Sequence, residues 1–161
     1  MISAVDTNVL LDILIPDEQH AVPSKRVLET YLEKGRLVIS EVVYAELAAQ
    51  FLSEKELRHF LSDTGINLVC STEKSLFMAG VRWVEYSRSR GRSIHCSRCG
   101  KQVRPSCQHC GAPISMRQRV LSDFIIGAHA LAHADILLSR DRGIYKAHFQ
   151  DLKVIGADTT L

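Results

Sequence analysis

Ile2-Ser3-Ala4-Val5-Asp6-Thr7-Asn8 is a short apolar run that ends on an acid and turns polar at once. A strand buried on both faces of a parallel sheet reads this way, because helices cover it above and below. Downstream, Val9 to Leu14 stays apolar as a first helix until Pro16-Asp17 breaks it. From Ala21 to Lys34, the residues Val22, Val27, Leu28, Tyr31 and Leu32 recur at helical spacing, and Gly35 stops the helix. Leu37-Val38-Ile39 reads as a second buried strand, and Ser40 as the N-cap of a helix running through Glu46 to about Gln50. Ser53 opens another helix, which closes near Asp63-Thr64-Gly65, and Asn67 to Cys70 reads as a third strand. Ser71 or Thr72 then caps a long helix through Trp83 toward Arg88. Periodicity fails from Ser89 to Ser115, where glycine, proline and cysteine replace it. A helix resumes at about Met116 and reaches His133, Asp135 to Ser139 forms a fourth strand, Arg142 to His148 a short helix, and Leu152 to Ile155 a fifth strand. Strands alternating with helices predict an α/β fold, a parallel sheet covered on both faces.

A chain of 161 residues, 46% hydrophobic and 24% charged, suits one domain with a small appendage. Its apolar runs, such as Val9-Leu10-Leu11 and Ile136-Leu137-Leu138, are far too short to span a bilayer. The first residues lack a basic stretch and meet Asp6 early, unlike a secretory signal, so a cytoplasmic location is the expectation. The net charge of +2 hides an asymmetry. Between Arg82 and Arg119 lie nine bases and one acid, a net +8, while the remainder holds eleven bases against seventeen acids, a net −6. A basic segment on an acidic body points to a polyanionic partner, nucleic acid being the commonest.

Ligands of doubly wound sheets bind beyond the carboxyl ends of the strands. Asp6 follows the first strand, Asp141 lies just past the fourth, Glu46 rides the helix leaving the second, and Asp123 begins the helix leading into the fourth. All four can face one sheet edge. Clustered carboxylates resist ionising together, and a divalent cation removes that penalty. Oxygen donors of this kind suit magnesium or manganese. Asp135 starts the fourth strand, and six residues at roughly 3.3 Å each put it about 20 Å from Asp141, at the wrong end. Asp12, inside the first helix, reads as a solvated side chain, with an accessory ligand as the alternative. His129 and His133 are four apart on a helix but lack a third ligand, and read as core or surface histidines.

Four runs carry a resemblance in chain order. Val5-Asp6-Thr7-Asn8-Val9-Leu10-Leu11-Asp12 resembles the opening of PIN-domain nucleases, and Ile39-Ser40-Glu41-Val42-Val43-Tyr44-Ala45-Glu46-Leu47 resembles their second motif. Ser122-Asp123-Phe124-Ile125-Ile126-Gly127-Ala128-His129-Ala130 resembles the third, and Leu137-Leu138-Ser139-Arg140-Asp141-Arg142-Gly143-Ile144-Tyr145 the fourth, with Ser139 where threonine is usual. The resemblance implies a Rossmann-like, five-stranded parallel sheet flanked by helices, and metal-dependent endoribonuclease activity. By that pattern Asp6, Glu46, Asp123 and Asp141 are the catalytic magnesium or manganese ligands, while Thr7, Asn8 and Ser139 shape the site. The branch closest in size is the VapC-like toxins, which cleave tRNA or rRNA, are blocked by a partner antitoxin, and commonly dimerise. The alternatives are a housekeeping RNA-processing nuclease acting on tRNA, rRNA or mRNA, or a non-catalytic RNA- or partner-binding PIN module.

Cys96-Ser97-Arg98-Cys99-Gly100 and Cys107-Gln108-His109-Cys110-Gly111 form two C-x-x-C-G units. Each resembles a zinc knuckle, and the two together predict a closed, structural zinc site of four thiolates. Disulfides, a redox pair and an iron–sulfur cluster fit less well, and His95 and His109 are not needed as ligands. Cys70 reads as a small buried residue. The predicted organisation is a nuclease domain of residues 1–88 and 116–161, interrupted by a zinc module of residues 89–115. Plain VapC-like toxins lack such an insert. Arg92, Arg98, Lys101, Arg104, Arg117 and Arg119 are its candidate RNA contacts, through phosphates and not by base stacking, because no Phe, Tyr or Trp lies between Ser87 and Arg119. The insert bracing the fold or a dimer contact is the alternative.

Overall fold

Ile2–Val5 is the central strand, β1, and everything that positions the acids is built around it. The computed structural model describes residues 1–15, 19–89, 94–95, 102–103, 106–112 and 121–156. After β1 come α1 (Thr7–Leu14), α2 (Ala21–Glu33), β2 (Arg36–Ile39), α3 (Glu41–Ala48), α4 (Glu54–Asp63), β3 (Ile66–Leu68) and α5 (Glu73–Ser89). A short pair follows, β4 (Ile94–His95) and β5 (Gln102–Val103), and then α6 (Leu121–His133), β6 (Ile136–Leu138), α7 (Arg142–His148) and β7 (Val154–Ile155). The main sheet has five strands in the order β3-β2-β1-β6-β7, and every neighbouring pair is parallel. The five-stranded parallel α/β fold expected from the sequence is therefore the fold observed.

Register explains why β1 is so apolar. Ser3 lies opposite Leu37 on one side and Ile136 on the other, and Ala4, Val5, Leu37, Val38, Ile39, Leu137 and Leu138 are all buried. Chain order leaves β1 toward β2 on one side and reaches β6 on the other. The crevice where the order reverses, the usual ligand position in such sheets, lies at the carboxyl ends of β1 and β6. Behind it, Phe124, Phe149, Tyr145 and Tyr86 form an aromatic cluster with centroid separations of 5.4 to 6.1 Å. Gly127 permits that packing: a Cβ there would lie 2.8 Å from the Phe149 ring. Arg82 of α5 lays its guanidinium 4.6 Å from the Phe149 centroid and donates to the His148 carbonyl at 2.7 Å, so it is committed to the fold.

Three local expectations change, while those for His129 and Asp135 hold. The third strand runs Ile66–Leu68, not Asn67 to Cys70, and as an edge strand it leaves Cys70 exposed instead of buried. Asp12 is not solvated: it is 4% exposed, receives Ser24 Oγ at 2.6 Å, and pairs with Arg140 Nη2 at 3.0 Å. With both oxygens engaged, it is not poised as an accessory ligand either. His129 is a core residue, its Nε2 2.8 Å from the Val69 carbonyl oxygen. Asp135 sits at the far end of the sheet, bonded to the backbone of Ile2 at the start of β1.

The pair β4–β5 is antiparallel, with Ile94 opposite Val103 and His95 opposite Gln102, and it forms a small sheet of its own. Among the described residues, no helix is long and apolar enough to cross a membrane.

Candidate active site

Asp6 and Ser139 are the first residues beyond β1 and β6, and backbone bonds seat both. Asp6 N–H donates to the Leu138 carbonyl at 3.0 Å, and Ser139 N–H to the Ile155 carbonyl at 3.0 Å. The Ser40 hydroxyl accepts from Val43 N–H at 3.4 Å, capping α3 at the end of β2, so the helix bearing Glu46 leaves the same edge. Asp123 occupies the first turn of α6, and Asp141 caps α7 by accepting from Gly143 N–H at 2.9 Å. Asp6 is the N-cap position of α1, so three of the four acids stand at helix N-termini, where the dipole favours negative charge.

Neutral donors hold these acids. One oxygen of Asp6, Oδ2, accepts from Ser139 Oγ at 2.6 Å, Asn8 Nδ2 at 2.8 Å and Tyr145 OH at 3.2 Å. Thr7 Oγ1 donates to Glu46 Oε2. Ser139 Oγ in turn accepts from Asn8 Nδ2 at 3.2 Å and from Asp141 N–H at 3.1 Å, and Asn8 Oδ1 accepts from Arg140 N–H at 3.1 Å. Thr7, Asn8 and Ser139 thus contact the acids that flank them, and a single hydroxyl joins Asp6 to the backbone of Asp141.

The electrostatics follow from that crowding. Burial pushes the Asp6 carboxyl above its ordinary range, opposed by the Ser139 and Tyr145 hydroxyls, with the charge of Glu46 adding to the rise. Burial, and then the charges of Asp6, Asp141 and Glu46, push Asp123 up to about 7. Burial raises the Tyr145 phenol, with Asp6 and Asp123 reinforcing it, so its hydroxyl stays a donor. Asp6, Glu46, Asp123 and Asp141 are therefore electrostatic neighbours at one sheet edge. Among the described residues, no three His, Cys, Asp or Glu side chains close around a common point as they stand. Unscreened carboxylates repel one another, and neutral donors hold those of Asp6, Glu46 and Asp141. An oxygen-only, half-buried donor set under mutual repulsion fits a hard divalent cation.

Tyr145 was missed by sequence reasoning. It lies four residues after Asp141 on α7, and that spacing puts both on one helix face. That is the signal by which it could have been found.

A family model describing the PIN domain matches residues 4–150. The chain belongs to the PIN-domain family. The PIN match spans all four acidic runs. Among solved structures, a chain of VapBC2 from Rickettsia felis, bound to a promoter DNA fragment, superposes with a TM-score of 0.61 at 18% identity, covering 97% of this chain and 98% of that one. VapBC-1 from nontypeable Haemophilus influenzae gives 0.58 at 21% identity, covering 98% of each chain. A toxin–antitoxin complex from Klebsiella pneumoniae gives 0.59 at 18%, covering 96% of this chain and 97% of that one. Identities this low show the shared fold. No curated protein matches the sequence.

Of the four cysteines, Cys107 and Cys110 are described, while Cys96 and Cys99 lie outside the described residues, as do Arg92, Arg98, Lys101, Arg104, Arg117 and Arg119. Residues 107–112 form a tight turn: Gly111 N–H donates to the Cys107 carbonyl at 2.8 Å, and Cys107 N–H to the Ala112 carbonyl at 2.7 Å. Gly111 has φ +70°, a left-handed conformation that glycine adopts without strain. Hydrogen bonds from the backbone N–H groups of Cys110 and His109 hold the Cys107 thiol below its ordinary pKa, and the Cys110 side chain lowers it further.

Proposed function

We propose that this PIN protein is a metal-dependent endoribonuclease and the toxin of a toxin–antitoxin pair. The observation that carries the chemistry is the carboxylate edge itself, with Asp123 pushed up to about 7 by burial and by Asp6, Asp141 and Glu46. The toxin assignment draws on the fold shared with VapBC complexes. Asp6 and Asp141 would hold a magnesium or manganese ion, with Glu46 and Asp123 completing its shell. When bound, such an ion supplies water activation and charge stabilisation for in-line displacement at phosphorus.

The chain's own residues do the rest. Ser139, Asn8 and Tyr145 orient Asp6 without bringing a competing positive charge to it. Thr7 holds Glu46, and Asp141 is fixed by its bond to Gly143. Ser139 Oγ already donates to Asp6 and accepts from Asn8 and Asp141, so this hydroxyl serves to hold the acids and not as a nucleophile.

The same reading assigns a structural zinc ion to Cys96, Cys99, Cys107 and Cys110 within an inserted module of residues 89–115, and RNA phosphates to its arginines and lysine. The Cys107–Cys110 turn supports it, since N–H groups directed at a thiolate and a left-handed glycine just after the second cysteine suit a metal knuckle. A cognate antitoxin and a second copy of the chain are the proposed protein partners. The second copy is supported by the apolar surface of α5, where Phe77 is 76% exposed beside Val81 and Val84.

Purified protein with magnesium or manganese should cut RNA internally, and Asp6→Asn should lower the rate at least about 10³-fold without unfolding the protein. Expression should arrest growth and a small gene directly upstream should relieve it. Wild type that cuts no RNA with either ion sinks the enzyme reading, and cleavage without growth arrest favours RNA processing instead.

A further inference from the structure

Asp12 and Arg140 form a pair that the carboxylate chemistry does not use. Asp12 projects from α1 and is 4% exposed; its Oδ2 accepts from Ser24 Oγ of α2 at 2.6 Å, and its Oδ1 from Arg140 Nη2 at 3.0 Å. Ser24 is itself fully buried. An isolated buried carboxylate is costly, and these two donors are what make Asp12 tolerable where it stands.

Arg140 is the residue between Ser139 and Asp141. Its side chain points back to α1, while its backbone N–H donates to Asn8 Oδ1 at 3.1 Å. Asn8 reaches Asp6 and Ser139, and Ser139 receives the N–H of Asp141. A continuous chain of contacts therefore runs from α2 through Asp12 and Arg140 to the two acids at the ends of β1 and β6. Three residues, Ser139, Arg140 and Asp141, join β6 to α7. Ser139 is bonded to Ile155 and Asp6, and Asp141 to Ser139 and Gly143, while the Arg140 side chain ties the segment to α1, and Arg140 and Asp141 are both exposed.

We infer that Arg140, anchored by Asp12 and Ser24, is a positioning residue that fixes the Ser139–Asp141 segment and so aims Asp141 and Asn8 at the site. The inference rests on the nuclease reading for its kinetic consequence, but its structural half stands alone. Arginine suits the role better than lysine, because its planar fork keeps direction while its backbone serves a second partner.

The test uses Arg140→Gln, Asp12→Asn and the double variant of the full chain; Asp12→Asn keeps size but turns one acceptor oxygen into a donor, Arg140→Gln shortens the side chain and removes its charge, and circular dichroism checks the fold. Hydrogen exchange at the Arg140 and Asp141 amides should quicken about tenfold in each variant. On RNA, kcat should fall about tenfold with KM within about twofold, since a small misplacement of a reacting group is costly, and the double variant should lose no more than either single. Arg140→Lys should recover only part of both. If Arg140→Gln exchanges and cuts like wild type, or if the single losses multiply in the double, the inference is overturned. Asp12→Asn that weakens manganese binding as much as Asp6→Asn, by calorimetry, would make Asp12 a ligand and also overturn it. If wild type cuts nothing, the nuclease reading fails while the exchange arm still decides the positioning.

Discussion

The carboxylate edge and the cysteine turn are both gatherings of would-be anions, yet the chain builds them by opposite means. At the edge, four acids drawn from residues 6 to 141 are brought together by a core that stands behind them: Val5, Leu138 and Phe124 are fully buried, and neutral donors take up the acids' oxygens. In the turn, Cys107 and Cys110 are three residues apart, and among the described residues the backbone bonds that shape it are local, Cys107 with Gly111 and Ala112. A site built on a core has its strand ends and helix starts held in place by that core, whether or not an ion is bound. For a turn held by local bonds, a thiolate-bound metal is a source of folding energy worth on the order of 10 kcal/mol.

The sharpest way to break this contrast is to remove metal. A strong zinc chelator, or Cys107→Ser, should expose residues 90–120 to limited proteolysis while the main unfolding transition keeps its midpoint. One shared transition that collapses with the metal would mean that the two regions are not built independently.

Next in size is Gly127→Ala. A Cβ 2.8 Å from the Phe149 ring forces α6 or the ring to move, which should cost about 1–3 kcal/mol in urea unfolding, less the small gain in helix propensity. Because α6 carries Asp123, RNA cleavage should fall as well; unchanged stability would show that the aromatic cluster yields easily. Tyr145→Phe removes one of three donors to Asp6 and should cost about 1 kcal/mol in the same assay.

An effect of opposite sign, a gain in stability, is expected from Asp123→Asn in chelator. The folded carboxyl titrates at about 7 and the unfolded one near 3.8, so ionised Asp123 penalises the fold increasingly through that window and fully above it. Asparagine removes the penalty. The melting temperature should rise at about pH 8, and the gain should fade toward about pH 4; a gain independent of pH would mean that charge is not the cause.

Much of this was legible in the chain. Buried parallel strands are bare apolar runs, so Ile2–Val5, Leu37–Ile39 and Ile136–Leu138 stand out, and an acid directly after such a run has to sit at the strand's carboxyl end. Asp135 was separated from Asp141 by strand length alone, and the Gly111 turn was anticipated from the C-x-x-C-G spacing. Strand order was not legible. Cys70 looked buried because nothing local marks β3 as an edge strand. Asp12 looked solvated because its partners, Ser24 and Arg140, lie 12 and 128 residues away along the chain.

The sequence by itself determined the α/β alternation, the PIN family and the acids that belong to it, because period, strand ends and motif spacing are properties of short segments. Only the tertiary structure decided the company those acids keep: Tyr145 on Asp6, Ser139 between Asp6 and Asp141, Arg140 turned back to a buried Asp12. Burial and long-range pairing depend on which elements pack together, and in this fold that is settled by the order of five strands and not by any one of them.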